Sequence, residues 1–169
     1  MKIIGNKSIS SIIKVFLIVL FVICIIAMIS LPVFVRNLEI VNDISEIKDV
    51  ILEMIFMYLA AIPALLMIIE FEKIFNDFSK GNVFSRKIEK RLKRTSLYSL
   101  IIGIIFALNC IIYNCSFGEK ISEEPFRIMY VIVIILIALI FLILSVGLMI
   151  LKNVYRTAVD NKEENDLTI

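Results

Sequence analysis

Four long apolar runs divide this chain, at residues 12–35, 50–69, 97–113 and 128–151, and its basic residues collect in alternate gaps between them. Each run is long enough, or nearly so, to cross a hydrocarbon core of roughly 30 Å at about 1.5 Å per residue. Four such runs in 169 residues leave no room for a separate soluble domain. A helix of a soluble protein keeps a polar face, with apolar residues recurring at i, i+3 and i+4. The stretch Val131-Ile132-Val133-Ile134-Ile135-Leu136-Ile137-Ala138-Leu139-Ile140 is instead apolar all round, which lipid explains better than a protein interior. An apolar share of 60% and a mean hydropathy of +0.98 agree with that solvent, since soluble domains hold about 45–50% apolar residues. The expectation is one all-α domain, 1–169, an integral membrane four-helix bundle.

Charge sets its orientation. Lys2 and Lys7 precede the first run and Lys14 stands in its first turn; Lys73, Lys80, Arg86, Lys87, Lys90, Arg91, Lys93 and Arg94 lie between the second and third; Lys152, Arg156 and Lys162 follow the fourth. The other two loops hold only Arg36, Lys48, Lys120 and Arg127. Cytoplasmic loops collect Lys and Arg, so both termini and the central segment are expected inside the cell membrane, in a multi-pass arrangement. The first run is too long for a cleavable signal and has no small-x-small site after it, so it reads as a retained span.

The central segment, 70–96, reads as an amphipathic elbow. Phe71, Ile74, Phe75 and Phe78 follow a helical template and extend the second helix beyond the membrane. Ser79-Lys80-Gly81-Asn82 interrupts it, with Gly81 as the left-handed stop, and Ser85 stands where an N-cap would open the next helix. The cations that follow suit anionic lipid at the inner leaflet. Nucleic-acid binding is the sharper reading of such a cluster; the positive-inside bias already accounts for it, so no direct nucleic-acid contact is expected. On the outer side, Pro32 is taken to mark the end of the first span, Ile40, Ile44 and Ile47 allow a short surface helix, and Gly118 with Pro125 marks a turn.

Chemistry-bearing residues are few. No His is present, and Cys24, Cys110 and Cys115 have no metal-ligand spacing; a Cys110–Cys115 disulfide requires the chain to leave helical geometry. No cofactor, catalytic or metal site is expected. Glu53 is the one acidic residue inside the four runs, close enough to the start of its span to reach the outer interface, although an ionisable residue in a span is a candidate site by default. Pro63 interrupts the second span as a packing kink or hinge. Asn109 and Asn114 can bridge helices, and Gly103, Ala107, Ser145 and Gly147 offer small faces for close helix contact.

The C-terminal tail, 152–169, continues helically through Val154, Tyr155 and Ala158, then closes on Lys162-Glu163-Glu164-Asn165-Asp166-Leu167-Thr168-Ile169. An acidic run ending in a short apolar tip suits a docking peptide, for instance one adding a strand to a partner's sheet; the bland alternative is a solvated tail balancing the basic elbow.

That ending, together with Gly81-Asn82-Val83-Phe84-Ser85 in the elbow, resembles the bacterial membrane family known as domain of unknown function 2975. The resemblance covers most of the chain and implies four spans and a cytoplasmic elbow. It also implies a regulatory pairing with a small helix-turn-helix transcription regulator; it implies no reaction. Candidate docking residues are therefore Gly81, Phe84, Ser85, Glu163, Glu164, Asn165, Asp166, Leu167, Thr168 and Ile169, with Glu53 and Pro63 as intramembrane candidates. The leading expectation is a non-enzymatic interaction or regulatory protein with a cytoplasmic protein partner, homo-oligomerisation being left open. The alternative is a small transporter or an immunity protein against a toxic peptide or small molecule.

Overall fold

A computed structural model describes residues 4–37, 44–81, 83–117 and 125–167. Four helices account for them: α1 (Ile4–Asn37), α2 (Ile44–Ser79), α3 (Arg86–Phe117) and α4 (Pro125–Leu167). Outside the connection after Ser79, every described residue is helical. Each helix contains a stretch long and apolar enough to cross a membrane. Successive helices alternate in direction. Lys14 of α1 meets Asn76 of α2, Arg94 of α3 meets Glu70 of α2, and Ser96 of α3 meets Ser145 of α4. The start of α1, the α2–α3 connection and the end of α4 therefore share one end of the molecule, the elbow end.

Packing follows chain order: α3 lies against both α2 and α4, and α1 packs on α2. The faces turned inward recur at three- and four-residue steps. On α4 they are Ile134, Ala138, Ser145, Leu148 and Val159; on α3 they include Ile88, Leu92, Thr95, Ser99 and Ile102. The residues between them, such as Ile104, Leu108, Ile140 and Ile143, stand exposed. With hydrocarbon as solvent, apolar contact alone gives helices little reason to associate, so small residues and interhelical hydrogen bonds hold the seam. Ser96 Oγ donates to the Ser145 carbonyl at 2.9 Å, Ser145 Oγ returns the bond to the Ser96 carbonyl at 2.9 Å, and Ser99 Oγ donates to the Phe141 carbonyl at 2.8 Å. Gly103 is pressed so closely on Leu142 that an added Cβ would lie 2.9 Å from its side chain. Gly147, by contrast, has open space around it and takes no part in the seam.

Proline placement departs from expectation. Pro32 lies inside α1, which continues to Asn37. Lacking an N–H, Pro32 leaves the carbonyl four residues back without its helical donor. That carbonyl belongs to Met28, and the Tyr58 hydroxyl of α2 donates to it at 2.7 Å. Pro63 is buried within α2. Between these proline-bearing helices and the rest, Cys24, Ala27, Ala61, Ala64, Phe106 and Phe141 border an apolar cavity of about 320 Å³. Ile44 and Ile47 fall in the first turns of α2 rather than in a separate surface helix, and Pro125 is the first residue of α4; Ile40 and Gly118 lie outside the described residues. α3 remains helical through Cys110 and Cys115, the geometry that stands against a disulfide between them.

Candidate interaction site at the α2–α3 connection

The second helix ends as its residues dictate. The Lys80 N–H donates to the Asn76 carbonyl at 3.2 Å and the Gly81 N–H to the Phe78 carbonyl at 3.1 Å, with Gly81 at φ +83°. In that left-handed region a Cβ is costly, so glycine closes the helix. Ser85 opens α3 as expected, its carbonyl accepting from the Ile88 N–H at 3.0 Å. Its hydroxyl does not cap, however: Ser85 Oγ is buried with no hydrogen-bond partner.

The capping group comes from α4 instead. The Ser85 N–H donates to the Tyr155 hydroxyl oxygen at 3.1 Å, and that hydroxyl donates to the Val83 carbonyl. The Tyr155 ring stacks on Phe84, with centroids 6.3 Å apart and planes 22° off parallel. Beneath the connection, Ile74 of α2, Ile88 and Leu92 of α3 and Leu148 of α4 form a small core, with Phe71, Phe78 and Tyr155 packed against it. Burial pushes the Tyr155 phenol above its ordinary value.

One turn beyond Tyr155 lies an ionic clasp. Arg86 Nη2 sits 2.5 Å from Asp160 Oδ1 and 2.7 Å from Glu163 Oε2, while its Nε donates to Glu163 Oε1 at 3.2 Å. The two-pronged contact with Glu163 suits the planar guanidinium fork. The hydrogen bond with Glu163 and the nearby Asp160 charge also hold Arg86 more firmly protonated than usual. Arg91–Asp77 at 3.6 Å and Arg94–Glu70 at 3.4 Å fasten α3 to α2 along the same end. Lys14 Nζ, donating to Asn76 Oδ1 at 3.1 Å, ties in α1.

The structure thus brings Phe84 and Ser85 together with Glu163, three residues that sequence reading placed in two separate motifs. Gly81 is exposed beside them and acts through its backbone. Glu163, Glu164, Asn165, Asp166 and Leu167 are helical, continuing α4, so no strand forms over them; Thr168 and Ile169 lie outside the described residues. Sequence reading passed over Tyr155, Arg86 and Asp160, which make the junction. The signal available was weak: Tyr155 and Asp160 lie in the helical stretch that leads into the acidic run, and nothing local pairs them with Arg86.

At the opposite end, Glu53 is half-buried and turned toward α3 and α4 rather than outward. Its Oε2 accepts from Asn109 Nδ2 at 3.0 Å and from the Tyr130 hydroxyl. Tyr113 packs on Tyr130, with ring centroids 5.1 Å apart. Asn109 thus bridges helices as its residue type allows, whereas no charge pattern in the sequence pairs Glu53 with an amide and a phenol. Pro63 takes no part in it.

Four long apolar helices in alternating directions, joined by polar seams, define an integral membrane protein of the multi-span α-helical class. The chain belongs to the family described as "Protein of unknown function (DUF2975)", whose model matches residues 38–169. It is 26% identical over 131 residues to "Uncharacterized membrane protein YoaS" of Bacillus subtilis (strain 168), an overlap of 78% of each chain. No solved structure matches it.

Proposed function

We propose that this is a non-enzymatic, membrane-anchored interaction protein whose α2–α3 connection and C-terminal helix form one docking surface for a cytoplasmic protein. The supporting observation is the junction at Tyr155 and Arg86, which joins the two most distinctive stretches of the sequence into a single patch. The basic residues concentrated at this end favour a cytoplasmic location for it. The family resemblance makes a small helix-turn-helix transcription regulator the partner class to test. Photocrosslinkers at Phe84 and Glu164 in intact cells should capture the same polypeptide. Deleting 163–169 should abolish that capture while membrane insertion is unchanged; undiminished capture rejects the reading.

A second reading, transport or resistance, draws support from Glu53, since a carboxylate bonded to Asn109 and Tyr130 inside a span is a natural proton or substrate site. Here Glu53→Gln should eliminate any pH-dependent flux or protection, and full activity in that variant counts against it.

A further inference from the structure

The first turns of α3 divide their cations by type. Its arginines are spent within the protein, Arg86 on Asp160 and Glu163, Arg91 on Asp77 and Arg94 on Glu70. Lys87, Lys90 and Lys93 are exposed and engage no described residue. Steps of three residues put these lysines along one inclined line of the helix, each about 60° round the axis from the last. The same line continues, in steps of three or four, through Leu97, Leu100, Ile104, Leu108 and Ile111, all of them exposed. One uninterrupted stripe of α3 therefore changes from cationic to purely hydrocarbon between Lys93 and Leu97, about 6 Å along the axis.

We propose that this stripe is a binding site for anionic phospholipid, with the phosphate held by Lys87, Lys90 and Lys93 and the acyl chains lying along Leu97 to Ile111. Complementarity selects the occupant. A soluble anion satisfies only the lysines and a neutral lipid only the leucines and isoleucines; an amphiphile with an acidic head satisfies both. Lysine suits the role because its compact ammonium meets a mobile phosphate from several directions. The site does not depend on which compartment the elbow end faces, nor on the docking function proposed above.

The test uses the full chain reconstituted in vesicles of phosphatidylcholine mixed with phosphatidylglycerol, with spin-labelled versions of each lipid reporting the fraction immobilised on protein. The wild type should prefer phosphatidylglycerol. Each Lys→Gln substitution on the stripe should lower that preference roughly five-fold, as the loss of about one surface cation's attraction implies. The triple variant should show none, and K87R/K90R/K93R should restore it. A control removing the same charge elsewhere, K73Q/K80Q/K162Q, should leave the preference in place. Three results overturn the proposal: selectivity that survives the triple variant, selectivity lost equally in the control, or selectivity abolished by inorganic phosphate alone, which marks a bare anion site.

Discussion

The hydroxyl of Tyr155, near the end of α4, caps the first turn of α3 by accepting the Ser85 amide proton at 3.1 Å. A side chain 70 residues away in sequence thus holds the helix start, while the Ser85 hydroxyl stands buried without a partner. Tyr155→Phe strands the Ser85 N–H and the Val83 carbonyl and should lower stability in detergent by about 1 kcal/mol. Hydrogen exchange should quicken at residues 85–88 and stay unchanged in the Ser96–Ser145 seam.

The same phenol makes an alkaline prediction. Burial raises its titration above the ordinary 10.0, because the phenolate is disfavoured. Its stabilising contribution is complete below that ordinary value and is lost as pH climbs through the raised one. Ultraviolet difference titration of wild type against Tyr155→Phe should assign to Tyr155 a phenolate appearing later than that of a free tyrosine.

Arg86 and Glu163 should behave as one unit. Arg86→Gln and Glu163→Gln should each loosen the end of α4, read as wider distance distributions between spin labels at residues 87 and 161. The double variant should be little worse than Arg86→Gln alone, which already removes the Glu163 contact together with that to Asp160. High salt should mimic the substitutions, as the clasp is solvent-exposed.

Pro32 and Tyr58 are predicted to be coupled. Tyr58→Phe removes the donor to the Met28 carbonyl and should cost about 1 kcal/mol in thermal unfolding. Once Pro32→Ala supplies the missing N–H, the same change should cost measurably less. Equal costs in the two backgrounds contradict the assignment.

The two span glycines should differ sharply. Gly103→Val places bulk against Leu142 and should cost about 1–3 kcal/mol by parting α3 from α4. Gly147→Val meets open space and should fall within about 0.5 kcal/mol of wild type, apart from its small effect on helix propensity.

How far the sequence could be read depended on the kind of signal. The spans were plain because their apolar runs exceed anything a soluble helix requires, and Gly81 was plain because a helix stop needs a left-handed residue. Pairings between helices were not. The Glu53–Asn109–Tyr130 cluster joins residues as much as 77 positions apart, and neutral partners leave no charge pattern to follow. Ser85 was placed correctly at the helix start, yet its hydroxyl makes no capping bond, and the group that binds its N–H, Tyr155, is 70 residues away. Gly103 and Gly147 look alike in sequence and diverge only once the faces of α3 and α4 are known. Pro32 suggested an ending because nothing local shows that Tyr58 can replace the missing donor.

α4 runs without interruption for 43 residues, about 65 Å and roughly twice the thickness of bilayer hydrocarbon. Such a mast converts its lean in the lipid into sideways travel at its tip: a tilt of about 10° sweeps a point ~30 Å along the rod by ~5 Å. Tyr155 and Arg86 lash the upper mast to the start of α3, so that travel drags the neighbouring helix with it. The lean that bilayer thickness imposes on one helix is therefore shared by two at this end of the molecule.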